Sequence, residues 1–130
     1  MPQKRRILVV DDEAKFAQIV KERLEQTGLY EVSVENRGSE ALASARTFRP
    51  ELVLLDLIMP DLDGGTVASH MAKDSELRLV PIIFLSGAIT EEEANNLHGR
   101  FADHLLISKP ASLRELVGRI RQYFDDHARS

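Results

Sequence analysis

Residues 52–64 read LVLLDLIMPDLDG, and the reading of this stretch decides the fold. Its first four residues are apolar without alternation, the pattern of a strand covered on both faces, as in a parallel sheet. The same pattern recurs as ILVV at 7–10 and IIFL at 82–85, with a shorter block at 105–107. The more alternating stretch at 30–34 reads as an edge strand. Between these blocks run apolar stripes with helical spacing: Phe16, Val20 and Leu24; Ala41, Leu42, Ala45 and Phe48; Val67, Ala68, Met71 and Ala72; then Leu113, Leu116, Val117, Ile120 and Phe124. A shorter helix is expected at 91–97 after Thr90, whose spacing to Glu93 matches a capping box, as does that of Ser112 to Glu115. Gly28, Pro50 and Pro81 fall where the periodicity changes. Strand and helix thus alternate five times, which predicts a doubly wound α/β domain with a five-stranded parallel sheet of order 2-1-3-4-5 and helices on both faces.

A chain of 130 residues suits one core, so a single domain is expected over 1–130, with its core at about 5–125 and a frayed end at 126–130. Seventeen Lys and Arg against twenty-one Asp and Glu leave a net charge of −4. That balance repels a nucleic acid backbone or an anionic membrane, so neither is an expected direct partner. The absence of Cys excludes a disulfide framework, a thiolate metal site and Cys nucleophile chemistry. After MPQKRR the apolar run stops at DDE, too early for a secretion signal, and no apolar stretch approaches a membrane span. The expected compartment is the cytoplasm.

In open parallel sheets the strand carboxyl ends converge on one edge, where ligands bind. The first strand runs into Asp11, Asp12 and Glu13, the third into Asp56, the fourth into Ser86 and Gly87, and the fifth, after Ser108, into Lys109 and Pro110. Taken alone, Asp12 reads equally well as a helix cap, Ser86-Gly87 as a turn and Lys109-Pro110 as a loop. Taken together they describe a site. Two carboxylates at about 4 Å repel by roughly 4 kcal/mol at an effective dielectric near 20, so a third beside them demands a cation or a proton. Lys109 supplies one charge, and the remaining hard oxygens suit Mg²⁺. With both cations present, Asp56 on the central strand can attack a phosphoryl group and keep it as an aspartyl phosphate, while Ser86 donates to a phosphoryl oxygen.

The motifs ILVVDDE, LVLLDLIMPDLDG, IIFLSGA and SKP, in this order, resemble the receiver domain of the two-component response regulator family over nearly the whole chain. The resemblance implies a flavodoxin-like fold and a phosphoacceptor function. By it, Asp12 and Asp56 ligate Mg²⁺ directly, the backbone carbonyl of Ile58 joins them, and Asp11 holds a metal-bound water. Ser86 contacts the phosphoryl group, Lys109 neutralises it, Gly87 leaves room above the acceptor, and the bond before Pro110 is cis. The implied partners are a sensor histidine kinase or histidine phosphotransfer domain upstream and an effector protein or output domain downstream, with homodimerisation on phosphorylation open. The signal would reach the surface of the fourth helix, fifth strand and fifth helix, where Leu97, Phe101, Arg119 and Tyr123 are candidate contributors. The implied chemistry is confined to the domain's own phosphorylation and dephosphorylation. The ending DDHARS carries neither an extended linker nor a new apolar pattern, which favours a stand-alone receiver over the front of a longer chain.

Three features depart from the family pattern. Leu106 stands where an aromatic residue is common, three positions before the lysine. An extra residue between Ala102 and Lys109 predicts an altered loop around His104, which, like His70, His98 and His127, reads as a surface residue. Ile58 and Ala88, two positions beyond the acceptor and the hydroxyl residue, cannot hold hydrolytic water through their side chains, which predicts a long-lived phosphoryl group. Competing readings are weaker. A flavodoxin-like cofactor binder would have its anionic phosphate repelled by DDE, a phosphatase with an aspartyl intermediate wants D-x-D, and the glycine-rich nucleotide motifs are missing. A degenerate receiver acting as a protein-binding scaffold is the remaining alternative.

Overall fold

Strands apolar on both faces can be buried only between two layers, and the structure supplies one on each side. The computed structural model describes residues 3–87, 90–98, 100–102, 104–109 and 112–127. In chain order the elements are β1 (Arg5–Val10), α1 (Ala14–Gln26), β2 (Tyr30–Glu35), a 3-10 turn (Gly38–Glu40) leading into α2 (Ala41–Phe48), β3 (Leu52–Asp56), α3 (Gly64–Ala72), β4 (Ile82–Ser86), α4 (Glu91–Asn96), β5 (Arg100–Phe101), β6 (His104–Ser108) and α5 (Leu113–Asp126). All five residues of β3 are buried. Leu52 and Leu54 face a core with α1 and α5, and Val53 and Leu55 face a second core with α2 and α3. The fold class is therefore the expected doubly wound α/β sheet.

The strand count differs from expectation. The sheet has six strands in the order β2-β1-β3-β4-β6-β5; the first five neighbours run parallel, and β5 is antiparallel to β6. Arg100 pairs with Leu105 and Phe101 with His104 across a tight turn in which Ala102 takes a positive φ of 49°. Two residues are too few to show a strand period, which is why the sequence reads this segment only as an altered loop. His104 is accordingly only partly at the surface. It opens β6, is half-buried, and packs its ring edge-on against Phe84 at 5.4 Å, with Phe101 meeting the same ring at 5.7 Å. His70, His98 and His127 are exposed, as expected. The bond before Pro110, Ala88 and the last three residues lie outside the described residues.

The helix ends follow local chemistry. Thr90 and Glu93 exchange the two bonds of a capping box, at 3.1 and 3.2 Å, and Ser112 accepts the Glu115 N–H at 3.0 Å. Gly28 takes the left-handed turn after α1 at a φ of 77°. After α2 the same turn is made by Arg49, at a φ of 55°, with Pro50 following. Arg6 donates to the carbonyls of Phe48 and Arg49 at 3.0 and 2.9 Å, placing a cation at the carboxyl end of that helix.

The open edge of β2 is also capped. Arg5 N–H donates to Leu29 and Asp11 N–H to Glu35, so alternate residues of β2 bond β1 and Val32 turns its backbone outward. There Lys21 donates to the Val32 carbonyl at 2.7 Å and Glu25 accepts the Val32 N–H at 3.1 Å, the two side chains being paired on α1. Such plugging protects a sheet edge from pairing with another chain. Glu25→Ala is expected to accelerate hydrogen exchange at the Val32 amide while leaving Ser33, bonded to β1, near its original rate; equal protection at Val32 in both proteins would contradict this clamp.

Candidate functional site

The carboxyl ends of β1, β3, β4 and β6 meet at one edge, and there the polar residues of the interior gather: Asp11, Asp56, Ser86 and Lys109 are the buried polar and charged residues among those described. The register sets them side by side, with Val10 opposite Leu55, Asp56 opposite Leu85, and Ser86 opposite Ser108. Lys109 N–H donates to the Ser86 carbonyl at 2.6 Å, tying the ends of β4 and β6 together.

Asp11 is held by its backbone, through Asn36 donating to its carbonyl at 2.8 Å, and its carboxylate accepts the Glu13 N–H at 2.9 Å. Glu13 is the N-cap residue of α1, without a side-chain cap bond, so Asp12 is not the helix cap that its position allows. Asp12 is exposed, and Asp11, Asp12 and Asp56 each present a carboxylate oxygen within 4.8 Å of the others. A divalent cation fits this set: three hard oxygen donors, two of them buried, converging at a spacing that like charges do not hold unaided. Ile58 offers its backbone N–H to the Asp56 carboxylate, while its side chain is 64% exposed at the mouth of the site.

Lys109 reaches into this cluster from the β6 end. Its Nζ donates to Asp11 at 2.7 Å and Glu13 at 2.9 Å, and stands 3.9 Å from Asp56. Burial disfavours the ammonium, but the bonds to Asp11 and Glu13 and the fields of Asp11 and Asp56 outweigh it, holding the Lys109 pKa above its ordinary value. Asp56 moves the other way from a usual carboxylate. Burial and then the Asp11 charge push its pKa up to about 7, against the lowering effect of Lys109.

Each expected site residue is thus present at the edge, and three others enter that the sequence leaves unassigned. A Cβ on Gly64 would lie 2.1 Å from the Asp56 carbonyl oxygen, so the chain after the acceptor can turn into α3 only without a side chain there. Asp61 accepts the N–H groups of Gly38 and Ser39 at 3.2 and 2.9 Å, which pulls its pKa down to about 2 and fastens the acceptor loop to the start of α2. Both residues belong to the MPDLDG stretch, whose spacing carried the signal. Phe16, which the sequence places in an apolar helix stripe, lies under the Lys109 ammonium at 4.4 Å from its ring centroid. At Gly87 an added Cβ would meet the Lys109 stem at 3.8 and 3.9 Å, ordinary contact distances. Leu106 pairs with Phe84 in register and is buried in the same core.

Comparison with known proteins agrees with this geometry. The family profile for "Response regulator receiver domain" matches residues 7–121. The chain is 43% identical over 121 residues to "Probable transcriptional regulator ycf27" of Porphyra purpurea, covering 92% of this chain and 47% of that protein. It is 36% identical over 119 residues to "DNA-binding response regulator MtrA" of Mycolicibacterium paratuberculosis, covering 91% of this chain and 50% of that one. The chain therefore spans about half the length of these curated relatives. Among solved structures, the receiver domain of Francisella response regulator 1452 superposes with a TM-score of 0.79 at 29% identity, over 95% of this chain and 99% of that chain. A CheY-like receiver domain protein from Methanospirillum hungatei JF-1 gives 0.77 at 28% identity, over 95% and 96%.

The raised pKa of Asp56 has a consequence for stability with a definite sign. A carboxyl whose folded pKa lies above its ordinary 3.8 favours the fold most at low pH, and that contribution is lost as pH rises through about 7. In metal-free protein, Asp56→Asn is expected to raise the thermal midpoint by a few degrees at about pH 8 and to change it little at about pH 4. A gain of equal size at both pH values would contradict a strained carboxylate.

Proposed function

Because this chain belongs to the response regulator receiver domain family of two-component systems, we propose that it accepts a phosphoryl group on Asp56 from a sensor histidine kinase or histidine phosphotransfer domain, with Mg²⁺ at the acidic cluster. The observation that carries this reading is a buried carboxylate at the end of the central strand, with Asp11 and Asp12 oxygens within 4.8 Å and an ammonium at 3.9 Å. Asp11, Asp12, Asp56 and the Ile58 backbone carbonyl are the groups that would hold the ion. When bound, Mg²⁺ supplies positive charge to the carboxylates and to the incoming phosphoryl oxygens.

The residues divide the work. With its charge balanced, Asp56 is ionised at neutral pH and one of its oxygens attacks phosphorus, while the N–P bond of the donor breaks and its electron pair returns to the imidazole. Lys109 leans from Asp11 and Glu13 toward the negative charge that gathers on the phosphoryl oxygens, and the buried Ser86 hydroxyl donates to one of them. The chemistry is confined to the domain's own phosphorylation and dephosphorylation. Because the Lys109 N–H is bonded to the Ser86 carbonyl, drawing both residues inward biases the ends of β4 and β6 together. The result is a population shift on the face of α4, β6 and α5, limited by the differential contacts the phosphoryl group makes. Leu97 and Phe101, 45% and 40% exposed, flank that face, with Arg119 exposed and Tyr123 half-buried on α5.

The downstream partner in this reading is an effector protein or output domain, or a second copy of the domain on phosphorylation. The relatives' names indicate transcriptional and DNA-binding regulators of about twice this length, so a DNA-binding output region is one such partner. The domain itself, with a net charge of −4, does not contact nucleic acid in this proposal. No helix among the described residues is long and apolar enough to cross a membrane, and the compartment this reading assigns is the cytoplasm.

Acetyl phosphate with Mg²⁺ is expected to add one phosphoryl group by intact mass, and Asp56→Asn to prevent it. A wild-type mass that stays unmodified while Mg²⁺ binds would overturn the reading in favour of a scaffold. The exposed Ile58 side chain offers no hydrogen bond to water, so phosphate release is expected to be slow, and faster in Ile58→Asn. Release within seconds from the wild-type protein carrying Mg²⁺ would contradict that lifetime.

A further inference from the structure

Besides its carboxylate partners, the Lys109 ammonium meets an aromatic ring. Its Nζ lies over the face of Phe16, 4.4 Å from the ring centroid. Phe16 sits in the first turn of α1, half-buried, with its ring packed against the core layer shared by α1 and α5. We propose that Phe16 is a positioning residue for phosphoryl transfer: its ring face holds the Lys109 ammonium within the site while the ammonium exchanges carboxylate partners for a phosphoryl oxygen. The proposal rests on the phosphoacceptor reading of Asp56.

Transfer requires the ammonium to let go of its present partners. Before transfer Nζ is bonded to Asp11 and Glu13, and is too far from Asp56, at 3.9 Å, for a hydrogen bond. To meet a phosphoryl oxygen the ammonium must move away from two carboxylates, each of which opposes the move with a full charge. Glu13 is 64% exposed, so water screens its hold, whereas Asp11 is buried and does not move freely. The Phe16 ring attracts the cation through its quadrupole without accepting a directed N–H bond, so contact survives a small displacement across the face. An aliphatic side chain of similar volume would fill the same space in the core but would offer no such attraction. That difference separates positioning from packing.

The test uses Phe16→Leu and Phe16→Tyr in the full chain, with acetyl phosphate and Mg²⁺, following the rate of phosphoryl gain by intact mass. Phe16→Leu is expected to slow the gain by about twofold to tenfold, and Phe16→Tyr, which keeps the ring, to stay near the wild-type rate. In nuclear magnetic resonance spectra the Lys109 ε-methylene protons are expected upfield in the wild type and in Phe16→Tyr, from the ring current, and near their ordinary position in Phe16→Leu. Phe16→Leu at the wild-type rate, or both variants slowed alike, would overturn the proposal. If the wild type gains no phosphoryl group, the phosphoacceptor reading has failed and the positioning role falls with it. If the wild type gains one and Phe16→Leu is no slower, the positioning proposal alone has failed.

Discussion

Like charge held together against water is the constraint on which the rest of this molecule turns. Three aspartates lie within 4.8 Å at the sheet edge, two of them buried, with one ammonium against them. Such a cluster persists only because the two hydrophobic layers over-determine where the strands end: Ile7 to Val10, Leu52 to Leu55 and Ile82 to Leu85 are all buried. At roughly 1.5–3 kcal/mol for each fully buried aliphatic side chain, the layers outweigh the local repulsion. The strain remains stored at the edge, visible in the Asp56 pKa of about 7. In the proposed reaction that strain is an asset, since a site short of positive charge is one that a cation completes.

Lys109 joins this local electrostatics to the ends of two strands. Its side chain answers to Asp11, Glu13 and Asp56, while its backbone is bonded to Ser86. In the proposed signalling, a change in the charge at Asp56 acts on β4 and β6 through this one residue. Beyond β6 lies the short hairpin strand β5; Phe101 on β5 and His104 on β6 both pack nearly perpendicular to the Phe84 ring. Phe84 is two residues before Ser86 on the same strand and stands opposite Leu106 in register.

Much of this was legible in the sequence, for physical reasons. Unbroken apolar blocks mark doubly covered strands, and residues that follow such strands must converge, which is how Asp11, Asp12, Asp56, Ser86 and Lys109 are found before any coordinates. What escaped was short or dual in character. The two-residue strand β5 has no period to read, so its hairpin and the half-buried ring of His104 appeared only as an irregular loop. Phe16 satisfied the helical stripe so well that its contact with Lys109 left no separate signal. Gly64 and Asp61 belong to a legible motif, but the need for them lies in three-dimensional approach, to the Asp56 carbonyl and to the amides of Gly38 and Ser39.

The most direct examination of the central claim is a pH titration of the Asp56 side-chain carboxyl, followed by its carbon-13 resonance in metal-free protein and again with Mg²⁺. A midpoint near 7 is expected without the ion, with a marked fall when Mg²⁺ is added. A midpoint in the ordinary carboxylate range, indifferent to Mg²⁺, would mean that the acids do not crowd one another and that no cation is called for at this edge.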